Sequence, residues 1–171
     1  MKQAFKIFAV VLVAAVIANA QGHAAKSIKG IWKVAEIVTT GNVAANVSNP
    51  QPGYMMFGQK YYSVMYVASE KERPTYAGAA PTIEEKVAAF DSLLANAGTY
   101  ELSSGILTIR PTVARNPGFT GGAFATYRVA ADGKTIWLMI KNSEFSFRVG
   151  GKIVPLGGPS SETTIKLVRL E

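Results

Sequence analysis

Residues Pro81–Leu102 read PTIEEKVAAFDSLLANAGTYEL, and this stretch decides the fold. Thr82 and Glu85 stand in T-x-x-E spacing directly after Pro81, the pattern of a helix capping box. Ile83, Val87, Phe90 and Leu94 recur at helical spacing and predict one apolar stripe, with Glu84, Lys86 and Asp91 off it. Gly98 is a natural residue to stop a helix. The stripe is expected to pack against a sheet or across a barrel end. Outside the N-terminus, no other segment has this periodicity.

Working outward, the pattern is strand after strand. Gly30-Ile31-Trp32 opens a strand to about Thr39, and the period-2 rule puts Trp32, Val34, Glu36 and Val38 on one face. Tyr54–Phe57 and Tyr61–Ala68 flank Gly58-Gln59 as a hairpin. After Gly98, short β-rich runs are separated by turns at Ser103–Gly105, Asp132-Gly133, Asn142-Ser143 and Gly150-Gly151, ending in Glu162–Leu170. Asp-Gly between two such runs is a strong two-residue hairpin signal. About nine short strands in meander order with one amphipathic helix predict a mainly β fold. The economical closure is an antiparallel up-and-down barrel, which removes exposed edges; a two-sheet sandwich is the alternative.

The first residues belong to a different segment. Lys2 and Lys6 form a basic n-region, Ile7–Ala18 is apolar, and Ala18-Asn19-Ala20 has the spacing of a secretory cleavage site. Residues 1–20 read as a signal peptide, with an alternative cut after Ala24, and residues 21–171 as one domain. A secreted or periplasmic location is expected, with no stable membrane anchor in the mature form. The chain has no cysteine, so packing alone must hold it. Its net charge of +7 falls to about +5 without the leader, and the basic residues are scattered singly. Nucleic-acid binding needs clustered charge, so no nucleic-acid partner is expected.

Four features in order resemble the bacterial lipocalin-like domain family. They are Gly30-Ile31-Trp32; Pro52-Gly53-Tyr54-Met55; Glu84-Glu85-Lys86 with Ala89-Phe90 and Ala97-Gly98-Thr99-Tyr100; and Asn116-Pro117-Gly118-Phe119. The resemblance spans Gly30 to Leu170. It implies a lipocalin-like barrel of about 8–9 strands, with Trp32 plugging its closed end. Family members often carry His before the Asn-Pro loop and Gln and Arg after it. This chain has Ile109-Arg110-Pro111 and, near the second positions, Phe124 and Thr126.

Much chemistry is excluded by composition. The one histidine, His23, sits at the signal boundary, and without His or Cys the Ser-His-Asp, Cys-His and zinc templates have no ligands. No phosphate-binding Gly motif opens a helix, and the acidic residues are too dispersed for a calcium loop. No cofactor or metal is expected. The candidate binding residues are Glu36, Tyr54, Tyr62, Tyr66, Tyr100, Arg110 and Trp137. Glu36 on an interior face would need a partner such as Arg110 or Arg128, or would simply be structural. The tyrosines suit a mostly apolar pocket with a few polar contacts, and would otherwise serve as core. The expected partner is a small hydrophobic or amphipathic ligand in the barrel lumen. The alternatives are a barrel enzyme of isomerase or cyclase type acting on a lipid-like or polyketide-like substrate, and an interaction barrel without ligand. No catalytic residue is assigned. The sequence leaves the oligomeric state open.

Overall fold

The computed structural model describes residues 27–73, 75–156 and 160–171. The signal-peptide reading and His23 lie outside the described residues. The strands are β1 (Gly30–Gly41), β2 (Ala45–Val47), β3 (Tyr54–Phe57), β4 (Tyr61–Tyr66), β5 (Leu94–Ser103), β6 (Ile106–Ala114), β7 (Ala125–Ala131), β8 (Thr135–Lys141), β9 (Ser146–Val149), β10 (Lys152–Pro155) and β11 (Ser161–Arg169). One helix, α1 (Ile83–Ser92), joins β4 to β5.

All pairings are antiparallel. The sheet runs β11-β8-β7-β6-β5-β4-β3-β1, and β1 closes back onto β11 from Trp32↔Arg169 to Gly41↔Ser161. The result is a closed eight-stranded up-and-down barrel, lipocalin-like in architecture. β2 adds to β1 above the point where β3 leaves it. β9 and β10 form a separate hairpin. Meander order fixes the two ends. Tight turns at Gly58–Lys60, Ser104-Gly105 and Asp132–Lys134 gather at one end, and every long connection lies at the other. Asp132 makes its predicted turn: its side chain accepts from the Lys134 and Thr135 amides at 2.9 and 2.7 Å.

The tight end is plugged by Trp32, which has no exposed surface. Its indole N–H donates to the Ile28 carbonyl at 2.8 Å, and the Arg169 guanidinium lies 4.1 Å over its ring. The same guanidinium donates to the Lys29, Gly133 and Glu171 carbonyls at 3.0, 2.9 and 3.1 Å. The start of β1, the end of β11 and the β7–β8 turn are thereby tied together. Gly30 has φ +132°, and a Cβ there would stand 2.4 Å from the Glu171 carbonyl oxygen.

Two parity changes depart from the sequence reading. In β1 the register shifts between Val34 and Glu36, so Ala35 is an extra residue. Trp32 and Val34 face inward, and after the bulge Ile37 takes the buried position instead of Glu36. In β5 and β6 a second shift pairs Ala97 with Val113 and Gly98 with Pro111.

The helix also departs. Its start is as expected: Thr82 Oγ1 accepts from the Glu85 amide at 3.2 Å, and the Glu85 carboxylate accepts from the Thr82 amide at 2.8 Å. Its end is not at Gly98. Leu93 is already extended, and Leu94 begins β5, because this backbone pairs with β4 through Tyr66↔Leu94 and Met65↔Ala95. Sheet pairing overrides the helical propensity of the Leu-Leu-Ala run. The expected stripe does not pack: Ile83, Val87 and Phe90 are 73%, 53% and 47% exposed. Remote arginines finish the last turn, which has no basic residue of its own. Arg73 donates to the Ala89 carbonyl at 2.8 Å, and Arg115 donates to that of Phe90 while lying 4.2 Å over its ring.

Gly98 serves the sheet. A Cβ there would lie 2.0 Å from the Arg110 carbonyl oxygen, whereas one at Gly78 meets nothing within 4 Å. Gly98→Ala is therefore expected to lower unfolding free energy by roughly 2–4 kcal/mol and Gly78→Ala to change it by under about 0.5, measured by urea denaturation. Val87→Ser, on the exposed helix face, is likewise expected to stay within about 0.5 kcal/mol; a loss above about 2 would show a packed helix face.

Candidate functional site

Alternation along the closed strands sends one side chain in two into the barrel. Near the tight end these side chains fill it, with Trp32, Ile136 and Leu167 fully buried. Further along they leave a cavity of about 170 Å³. Met55 and Phe57 of β3, Val64 of β4, Leu107 and Ile109 of β6, Leu138 and Ile140 of β8 and Ile165 of β11 form its wall. Leu94, Phe119 and Phe145 close it toward the long connections. Phe119 is set there by a single turn of 3-10 helix, Pro117–Phe119, which Asn116 caps by accepting from the Gly118 amide at 2.9 Å. Phe147 of β9 lies against Phe119, ring centres 5.3 Å apart.

The polar part of the wall is small. Tyr62 and Tyr66 come from β4, Asn96 from β5, Tyr127 from β7 and Thr163 from β11. Tyr62, Tyr66, Asn96 and Tyr127 are each more than nine-tenths buried. The Tyr62 hydroxyl donates to Asn96 Oδ1 at 2.5 Å. Among the described residues, the Tyr66 and Tyr127 hydroxyls have no hydrogen-bond partner. Among the described residues no charged side chain lines the cavity. Burial pushes the Tyr66 phenol up to about 12. It raises Tyr62 and Tyr127 as well, and Tyr127 is raised further by its neighbours Tyr66 and Tyr62. At neutral pH all three are uncharged groups able to donate.

Of the candidates read from sequence, Tyr62 and Tyr66 line the cavity. Tyr100 points inward below it, where it donates to the Gly58 carbonyl at 2.7 Å and meets the Phe57 ring edge-on at 5.3 Å. Tyr54 is on the outer face, 42% exposed, because Met55 and Phe57 take the inward positions of that strand. Arg110 is exposed, on the outer face with Ile106, and lies 5.7 Å over the Phe124 ring. Trp137 is outward between buried Ile136 and Leu138. Glu36 is turned out by the bulge and stands opposite Lys166. Arg128, considered as its partner, pairs with Glu162 at 2.9 Å and Glu144 at 3.5 Å. The carboxylate–arginine set that interior acid–base chemistry would need is therefore not assembled in the cavity.

No family model matches the chain, and neither does any curated protein or solved structure compared with it. Among the described residues no group of three or more His, Asp or Glu is placed to hold a metal ion, and no helix is long and apolar enough to cross a membrane.

Sequence reading missed Asn96 as a wall residue by leaving it inside the helix. The alternation Leu94, Asn96, Gly98, Tyr100 marks it once β5 is started at Leu94. Tyr127 carries the same signal, one step from buried Ala125.

The phenols make stability pH-dependent. Above the ordinary tyrosine value near 10 the unfolded chain loses protons that the folded chain keeps, so folding stability is complete below pH 10 and falls as pH rises toward 12. Each such phenol removes about 1.4 kcal/mol per pH unit in that window. Urea midpoints between pH 9 and 12, with tyrosinate absorbance, are expected to fall less steeply in Tyr66→Phe than in wild type.

Proposed function

We propose that this protein binds one small, largely apolar molecule inside the barrel, as an extracytoplasmic member of the bacterial lipocalin-like domain family. The observation that carries the reading is the cavity of about 170 Å³ with an apolar, uncharged wall in an otherwise close-packed core. An apolar cavity of about 150 Å³ accommodates benzene. The space therefore suits one compact molecule, or a compact part, of about one ring. Family membership is supported by the four ordered motifs, two of which have clear structural work: Trp32 plugs the tight end, and Asn116-Pro117 seats Phe119 over the cavity. The extracytoplasmic location rests on the leader-like residues 1–20. The cavity favours ligand binding over a barrel that serves only as an interaction scaffold.

Toluene is a suitable first probe. Methyl resonances of Ile109, Leu138 and Ile140 are expected to shift saturably on titration, while those of exposed Ile83 and Val87 stay fixed. Val64→Phe, which fills the cavity, is expected to abolish the shifts while the indole resonance of Trp32 is retained. Unperturbed interior methyls in wild type would overturn the reading.

A further inference from the structure

The two unpartnered phenols carry the ligand's chemistry further. Polar groups in protein interiors are nearly always hydrogen-bonded, either to the protein or to whatever occupies the space they face. Tyr66 and Tyr127 are both 7% exposed as residues, and among the described residues neither hydroxyl has a protein partner; both keep accessible surface and both residues line the cavity. Tyr62 differs: it is committed to Asn96 Oδ1 at 2.5 Å. That bond also orients Asn96, whose amide NH2 remains on the cavity wall as a third donor. Tyr66 and Tyr127 lie on different strands, β4 and β7, yet line one space, and they are close enough for charge on one to act on the other.

Resting on the ligand-binding reading above, we infer that the cavity selects a compact apolar molecule bearing one uncharged hydrogen-bond acceptor, a ketone, aldehyde, ester or amide carbonyl, which takes the hydroxyls of Tyr66 and Tyr127. A carbonyl oxygen has two lone pairs and can accept from both phenols. A hydrocarbon of the same shape fills the space and leaves both donors unpaired, and sites built to hydrogen-bond their ligand reject analogues lacking the group. A carboxylate is disfavoured because among the described residues no cation lines the cavity to neutralise it, and an ammonium because no carboxylate does. The specificity therefore lies in neutral donors alone.

The probes are acetophenone, its hydrocarbon counterpart isopropylbenzene, and benzoate, titrated at pH 7 into the full-length chain, its Tyr66→Phe and Tyr127→Phe variants and the double variant. Calorimetry and interior methyl shifts are read together. In wild type, acetophenone is expected to bind at least about tenfold tighter than isopropylbenzene, and benzoate not to bind. In the double variant the two neutral probes are expected to converge within about threefold, with isopropylbenzene affinity retained as the sign of an intact cavity. Independently of any variant, the carbonyl stretch of bound acetophenone is expected to shift down in frequency from its value in an alkane. Equal wild-type affinity for the two neutral probes, a preference that survives in the double variant, or an unshifted carbonyl stretch overturns this inference and leaves the ligand-binding reading standing. Binding of neither neutral probe to wild type overturns both.

Discussion

The barrel exists because β1 and β11 meet, and the Trp32–Arg169 contact holds that seam at its most crowded point. β1 pairs with β11 along nearly its whole length, and their lower ends carry the stacked indole and guanidinium. Closure pairs the two ends of the eight-strand meander, leaving short β2 as an edge of that sheet. It also creates an inside, and eight strands enclose just enough width for side chains to fill it or for one small ligand to enter. Arg169 satisfies three carbonyls from three different parts of the chain while covering the plug. The tight end is consequently closed by contacts, and the cavity lies toward the end that carries the long connections.

The inside is defined by parity, and parity is where sequence reading succeeded and failed. Along β4 the alternation Tyr62, Val64, Tyr66 is unbroken, and both tyrosines read as pocket residues do line the cavity. The capping box and the Asp132 turn were legible because each is a local arrangement of a few residues. Glu36 was misplaced because one extra residue, Ala35, exchanges the two faces of β1 from that point on. A bulge is set by the partner strand, and no local pattern announces it. Arg110 followed the outward parity of Ile106 and Thr108, so once the face of β6 was known its exclusion from the lumen followed too.

The helix shows the same limit from the other direction. Its apolar stripe predicted burial, yet Ile83, Val87 and Phe90 stand exposed, and the side chain of Leu94 reaches the cavity only because it has left the helix for β5. The last turn is completed by Arg73 and Arg115, which arrive from outside the helix. A helix capped by distant residues gives no stop signal in its own sequence, and Gly98 resembles a stop that it does not make. Its actual task, admitting the Arg110 carbonyl, depends on β6.

The cavity and the phenols are two departures from the economy of the rest of the core, and they coincide. An unfilled volume of about 170 Å³ forgoes contacts worth about 4 kcal/mol at roughly 24 cal/mol per Å³. The Tyr66 and Tyr127 hydroxyls, unpaired within the protein and facing that space, cost up to roughly 1–3 kcal/mol each where nothing else meets them. Substituting phenylalanine would remove the second cost without changing the shape of the wall, and larger aliphatic side chains would remove the first. A sequence that packs Trp32, Ile136 and Leu167 to complete burial a few residues away has the means to do both. Local rules are broken in natural folds mainly where function requires it. Here the breaks fall around one space, and a guest that fills the volume and accepts the two hydrogen bonds offsets both together.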